Sequence, residues 1–149
     1  MDHAEADGRR KHWMTVLARA KPAEIEARLP EPLPPYTRLR GPEVGLAMVR
    51  GRAGGTGTAF NLGEMTVTRC TVRDGAGRIG HAVIAGRDPR QAELAAALDA
   101  ALQDPARQDR LLEAVVVPLH AAQQAVRTAA AAKASATRVA FFTLATMRS

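Results

Sequence analysis

Between Tyr36 and Arg87 the apolar residues recur largely at every second position, and this pattern limits the possible folds more than any other feature. Such alternation is typical of β-strands that turn one face toward a core. The connections within this region are short and rich in glycine. Neighbouring strands must therefore run antiparallel, because parallel pairing needs a long crossover. The pattern predicts strands at Tyr36–Arg40, from Val44 to about Arg52, at Leu62–Arg73 and at Arg78–Arg87, with a turn at Gly41-Pro42.

Helical spacing of apolar residues replaces this alternation on both sides of the strands. It predicts helices at Arg9–Ala20, Pro22–Leu29, from Asp88 to Asp104, at Ala106–Val116 and from about Leu119 to Ala134. Pro118 is expected to separate the last two helices, because proline lacks a backbone donor. The segment Thr137–Met147 is compatible with either a strand or a continued helix. The 149 residues suit one domain, 1–149, of the α+β class. We predict a central antiparallel sheet of about four strands, flanked by amino- and carboxy-terminal helices.

The charge and the single cysteine limit the classes of function. A net charge of +6, carried mostly by arginine, is compatible with nucleic acid, an anionic membrane surface or a phosphorylated small molecule. The arginines are scattered along the chain, however, which favours no single ligand. Cys70 is the only cysteine, so the chain can form no intrachain disulfide and cannot hold an iron–sulfur cluster by itself. With no secretion signal or membrane segment visible, a cytoplasmic location is expected.

A glycine-rich loop between the second and third predicted strands is a candidate phosphate-binding site. It contains Gly54, Gly55, Thr56 and Gly57. Glycines allow successive backbone N–H groups to turn toward an anion. The loop lacks the Gly-Lys-Ser/Thr ending of a P-loop, and no helix is predicted after it. A flexible strand connection remains the simpler alternative.

Arginines on the predicted strands are the second group of candidates. Arg50 and Arg52 share one face of their strand, and Arg69 and Arg73 share one face of theirs. Adjacent strands would bring them together at one end of a sheet face. Such a cluster could bind phosphate or acidic groups of a partner. Solvent exposure beyond the edge of the core is the alternative.

Other reactive residue types give weaker signals. The four histidines have no metal-site spacing, so no metal is expected, and we assign no catalytic residue. Cys70 lies in the middle of a predicted strand, which favours a small core residue over a nucleophile. Phe141 and Phe142 are adjacent aromatics in a chain with few others. They are candidates for anchoring a partner, or alternatively for packing on the chain's own sheet.

Several motifs are spread along nearly the whole chain, and the longest and most specific is FNLGEMTVTRC, from Phe60 to Cys70. The others are Arg10-Lys11-His12-Trp13-Met14, Gly54-Gly55-Thr56-Gly57, Gly86-Arg87-Asp88, Ala92-Glu93-Leu94, Leu98-Asp99-Ala100-Ala101-Leu102 and Thr137-Arg138-Val139-Ala140-Phe141-Phe142-Thr143. In their order and spacing these motifs together resemble the PhnG family of the bacterial carbon–phosphorus lyase system.

This resemblance implies a role in phosphonate catabolism as an accessory subunit. In that family the chain joins PhnH, PhnI and PhnJ in a core complex with two copies of each, and a PhnL-type ATP-binding protein takes part. The implied reaction attaches an alkylphosphonate to the anomeric carbon of ATP and releases adenine. ATP is then a substrate of the complex, and no cofactor is expected on this chain alone. The iron–sulfur cluster and S-adenosylmethionine are expected only on PhnJ.

Two alternatives stay open. In one, Gly54–Gly57 with Arg50, Arg52 and Arg69 contacts the phosphates of a nucleotide directly. In the other, the chain is a basic nucleic-acid-binding module without a catalytic role. The second is weaker, because the sequence shows neither an aromatic stacking platform nor a recognition helix. No nucleic-acid partner is therefore expected.

Overall fold

The computed structural model describes residues 2–52 and 57–147, with side chains up to residue 138 except that of Asn61. Its elements follow one another as helices, strands and helices, which confirms the predicted α+β class. They are α1 (His3–Ala18), α2 (Pro22–Glu26), β1 (Tyr36–Arg52), β2 (Ala59–Asp74), β3 (Ile79–Ala85), α3 (Pro89–Leu102), α4 (Gln108–Leu111), a π-helical turn (Leu112–Val116) and α5 (Val117–Met147).

The strands form one antiparallel sheet in the order β1-β2-β3. The predicted strands Tyr36–Arg40 and Val44–Arg52 are both present, but they are halves of one strand. Gly41-Pro42, predicted as a turn, is instead a bulge at which β1 stays paired with β2. Gly41 has a φ of +70°, and a Cβ there would lie 2.5 Å from the carbonyl oxygen of Arg69. The site thus requires glycine, and the chain bends without leaving the sheet.

One face of the sheet carries the core. Helix α3 lies against β2 and β3, α1 packs against α3, and the π-helical turn packs against α1. The side chain of Asp88 accepts a hydrogen bond from Gln91 N–H, so Asp88 is the N-cap of α3 and the helix begins where the sequence predicts. The largest buried side chains come from all these elements. They include Leu17, Ile25, Val72, Ile84, Leu98, Leu102 and Val115.

Helix α3 approaches β3 so closely that Gly80 has no room for a side chain. A Cβ on Gly80 would meet the carbonyl oxygen of Ala96 and lie 2.7 Å from the backbone nitrogen of Ala100. We therefore expect Gly80→Ala to lower the free energy of unfolding by about 1–3 kcal/mol, by overpacking. Urea denaturation measures this. Gly8→Ala, in α1 with open space around it, is the control and should stabilise by about 1 kcal/mol. Equal effects of the two changes would contradict this packing.

The last helix differs from expectation at Pro118, which was predicted to separate two helices. The π-helical turn ends just before it, where Val117 N–H donates to the carbonyl of Leu112. Helical backbone continues through Pro118, the second residue of α5, because the wider π-helical turn directly before it accommodates the missing N–H. Of the two possibilities for Thr137–Met147, the backbone adopts the continued helix. Within the described ranges, no helix combines the length and apolar character needed to cross a membrane.

Candidate interface on a projecting hairpin

β1 and β2 continue past the end of β3. The last rung of the β2–β3 pair joins Val67 to Ala85, whereas β1 and β2 stay paired as far as Arg52 and Ala59. We call residues 43–52 of β1 together with residues 59–66 of β2 the hairpin arm. Among the described residues no third strand pairs with the arm, so it projects from the sheet as a two-stranded ribbon.

The hairpin arm exposes large apolar side chains. Leu46 and Met48 of β1 expose 61% and 58% of their surface, and Leu62 of β2 exposes 62%. Val44, Phe60 and Met65 are also exposed. Val44 shares a face of the ribbon with Leu46 and Met48, whereas Phe60 and Met65 lie opposite Gly51 and Ala47 and therefore on the other face. Both faces of the arm thus expose apolar side chains, and exposed apolar surface concentrated in one part of a monomer marks an interaction surface. The hairpin arm is therefore the part of the described surface best suited to bind another protein.

The pairing of β2 decides which way the backbone of β1 points. Gly86 N–H donates to the carbonyl of Thr66, so the backbone groups of Thr66 point toward the β3 side. The backbone N–H and C=O groups of the next residue, Val67, must then point toward β1, where Val67 is paired with Gly45. The even-numbered residues of β1 within the arm therefore direct their N–H and C=O groups away from the sheet. Val44, Leu46 and Met48 form this outer edge.

The predicted arginine cluster does not form. Arg50 lies opposite Asn61 near the tip of the hairpin arm, whereas Arg69 lies opposite Glu43 at its base. Seven positions of β1 separate these two rungs, which is about 23 Å. Antiparallel pairing is the reason, because the carboxyl end of β1 meets the amino end of β2. Arg50 and Arg52 remain together at the tip.

The remaining predicted site residues are distributed as follows. Gly57 lies just before β2, next to the tip of the hairpin arm, while Gly54, Gly55 and Thr56 lie outside the described residues. Phe141 and Phe142 lie in α5, and their side chains are outside the described part of the chain. The predicted roles of all these residues therefore stay predictions.

The sequence did not reveal a buried ion pair that joins α1, β3 and α3. Asp99 of α3 is fully buried. It accepts hydrogen bonds from Arg10 Nε (3.1 Å) and Nη2 (2.8 Å), from Trp13 Nε1 (2.8 Å) and from His81 N–H (2.9 Å). The carboxylate raises the pKa of the Arg10 guanidinium. A lone aspartate within the apolar run of α3 was the signal that a buried partner existed.

A second ion pair ties the start of β1 to α3. Glu93 accepts hydrogen bonds from Tyr36 Oη at 2.8 Å and from Arg38 Nε and Nη2 at 2.9 and 2.8 Å. These bonds lower the pKa of Glu93 despite the opposing effect of its burial. Burial, together with the bond to Glu93, raises the pKa of Tyr36 to about 12. Both clusters hold the body together and leave the hairpin arm free.

Tyr36 is the only tyrosine, so its ionisation can be observed directly. We expect absorbance at 295 nm to titrate with a midpoint near pH 12 in the folded chain, against about 10 in denaturant. Because folding raises this pKa, the associated stability is complete below pH 10 and is lost as the pH rises toward 12. Glu93→Gln should lower the folded midpoint. A folded midpoint near 10 would contradict the hydrogen bond to Glu93.

The other reactive groups occupy structural positions. Cys70 is buried in the core, as predicted, and burial raises the pKa of its thiol. His12 of α1 and His120 of α5 stack edge to face, with ring centroids 4.8 Å apart. An open groove of about 590 Å³ between α1 and β3 includes Arg10 and His81 in its wall, and Arg10 is already held by Asp99. Among the described residues, no group of three or more potential ligands could hold a metal ion.

The fold and the projecting apolar hairpin define a small α+β domain equipped for assembly with other proteins. Residues 8–147 match the family described as "Phosphonate metabolism protein PhnG". The chain therefore belongs to this family, as its motifs indicate. It is 42% identical over 137 residues to the "Alpha-D-ribose 1-methylphosphonate 5-triphosphate synthase subunit PhnG" of Rhizobium meliloti (strain 1021). That alignment covers 91% of this chain and 87% of the relative.

Proposed function

We propose that this chain is an accessory subunit of an α-D-ribose 1-methylphosphonate 5-triphosphate synthase. The complex would transfer the ribosyl triphosphate of ATP to an alkylphosphonate and release adenine, a step in phosphonate catabolism. The observation that carries the proposal is the 42% identity to a subunit of such a synthase over 91% of this chain. The family match over residues 8–147 supports it.

Two features of the structure favour an accessory role in assembly. Asp99 and Glu93 are both engaged by arginines of the same chain, and these contacts connect one element of the fold with another. The hairpin arm, in contrast, offers apolar side chains without enclosing them. This contrast between a body held by internal ion pairs and an arm with exposed apolar side chains suits a subunit whose arm is buried by a partner protein.

The composition of the complex follows from the same proposal. PhnI, PhnH and PhnJ would be partners in a core complex with two copies of each, and a PhnL-type ATP-binding protein would associate with it. ATP would be a substrate of the whole complex, whereas the iron–sulfur cluster and S-adenosylmethionine would belong to PhnJ. The assembly would work in the cytoplasm.

Co-purification tests membership in this complex. The tagged chain is expressed together with PhnI, PhnH and PhnJ, and the captured proteins are identified by mass. We expect stable capture of PhnI, and removal of residues 137–149 should weaken it if Phe141 and Phe142 anchor a partner. Clean monomeric behaviour without affinity for PhnI would contradict the proposal.

Direct contact with a nucleotide is a second candidate role, restricted to the tip of the hairpin arm. Arg50 and Arg52 lie there, and Gly57 follows the loop between β1 and β2. Two arginines beside a glycine-rich segment are suited to contact with phosphate. Calorimetry of ATP binding to the assembled complex decides between the roles. Reduced affinity with Arg50→Ala and Arg52→Ala, but not with Arg69→Ala, would support contact at the tip.

A further inference from the structure

We propose that the outer edge of β1 in the hairpin arm binds by strand addition. Its occupant would be an extended segment of a different subunit of the synthase, apolar at alternating positions and carrying carboxylates near Arg50 and Arg52. This inference rests on the proposed function, because it assigns the surface through which the chain joins the complex. The sheet would then gain a strand on the β1 side.

The backbone of β1 supplies the first argument. Val44, Leu46 and Met48 direct their N–H and C=O groups away from β2, because Gly45 and Ala47 use theirs to pair with it. A row of unpaired groups of this kind is a template for another strand. Added strands bind through such main-chain groups. The free edge begins just after Pro42, which has no N–H to offer.

The side chains of the same residues supply the second argument. Val44, Leu46 and Met48 point to one face, as successive even positions of a strand must. All three are exposed and apolar. Natural proteins usually protect a long edge strand with charges or a covering element. Here the charged residues of β1 flank the apolar part, with Glu43 at the base and Arg50 and Arg52 at the tip, and Val44 to Met48 carry no charge that would protect the edge.

Charge decides against a second copy of this chain as the occupant. Glu43 is the one acidic residue of β1, and it is already bound to Arg40 of the same strand, so the β1 edge of a second copy has no free carboxylate to meet Arg50 and Arg52. Each copy also carries a net charge of +6. Like charges across paired strands are destabilising. A segment with carboxylates beside the arginines has the complementary charge.

Hydrogen exchange at single residues tests the backbone part of the proposal. In the free chain, the amides of Val44, Leu46 and Met48 should exchange quickly, and those of Gly45 and Ala47 slowly. In the complex of the chain with PhnI, PhnH and PhnJ, the fast amides should slow on the order of 100-fold. If the complex forms and these amides stay fast, strand addition is wrong while the proposed function stands. If no complex forms, both are wrong.

Two comparisons of variants separate the contributions that backbone hydrogen bonds, side chains and charge make to binding. Leu46→Pro removes one outward N–H, and it should bind the complex about tenfold more weakly than Leu46→Ala. Circular dichroism must first show that both variants fold, and the exchange experiment on wild type stands independently of them. Arg50→Glu with Arg52→Glu should weaken binding, whereas Arg73→Glu, exposed at the far end of β2, should not.

Three results would overturn the proposal. Equal affinity of Leu46→Pro and Leu46→Ala would exclude a backbone contact. Unchanged affinity after the charge reversals at Arg50 and Arg52 would exclude an acidic partner segment. Slow exchange of the outer amides in the free chain at high concentration, together with dimerisation, would identify a second copy as the occupant.

Discussion

Replacing Asp99 by asparagine is expected to lower the free energy of unfolding by about 3–5 kcal/mol. The reason is the number of donors around the carboxylate. Oδ1 accepts from Arg10 Nε and Trp13 Nε1, and Oδ2 accepts from Arg10 Nη2 and His81 N–H. Asparagine has only one oxygen, so its NH₂ group would face two donors whichever way the amide turns. It would also leave the Arg10 charge without its partner.

Chemical denaturation monitored by the fluorescence of Trp13 measures this loss. Trp13 is the only tryptophan and its indole N–H binds Asp99, so the signal reports on the cluster itself. Asp109→Asn, exposed in the first turn of α4, is the matched control and should change stability by no more than about 0.5 kcal/mol. Equal stability of the two variants would show that the buried ion pair is not a main support of the fold.

Introducing two charges on the hairpin arm is expected to abolish binding to the complex while leaving the chain folded. In the double variant Leu46→Asp with Met48→Asp, two apolar side chains that would be buried against a partner become carboxylates. Burying an unpaired charge in an interface weakens the free energy of binding by several kcal/mol. Both positions are exposed in the free chain, so the free energy of unfolding should change little.

Capture of PhnI by the tagged variant, quantified against the wild-type chain, measures this effect. Val83→Asp provides the matched control, because Val83 is an exposed apolar residue on β3 and lies on the opposite face of the sheet from Leu46 and Met48. We expect loss of capture with the double variant and normal capture with the control. Normal capture with both would mean that the arm is not the assembly surface.

The sequence predicted the elements that depend on local spacing. The alternation from Tyr36 to Arg87 gave the antiparallel strands, and the position of Asp88 gave the start of α3. Cys70 was correctly expected in the core. These features depend on neighbours only a few residues apart, which the sequence shows directly.

Long-range partners could not be predicted in the same way. Arg10 and Asp99 are separated by 89 positions, and Tyr36 and Glu93 by 57. The spacing of such residues in the sequence does not predict that their side chains form hydrogen bonds. Pro118 was misjudged for a related reason, since a preceding π-helical turn placed it where a missing donor is tolerated.

The arginine candidates show how pairing register decides a site. Arg50 and Arg69 were expected together because each follows an apolar run on its own strand. The register instead places them opposite Asn61 and Glu43, at different ends of the hairpin arm. The same register reveals what the sequence did not: an apolar strand edge with free backbone groups.

Adenine release is the most direct measure of the central claim. The complex is reconstituted from PhnI, PhnH, PhnJ and PhnL, with or without this chain. ATP and methylphosphonate are then added as substrates. We predict adenine release and formation of the ribosyl phosphonate only when the chain is present, and restoration when it is added back. Equal rates of adenine release with and without the chain would contradict its role as a required subunit of the synthase.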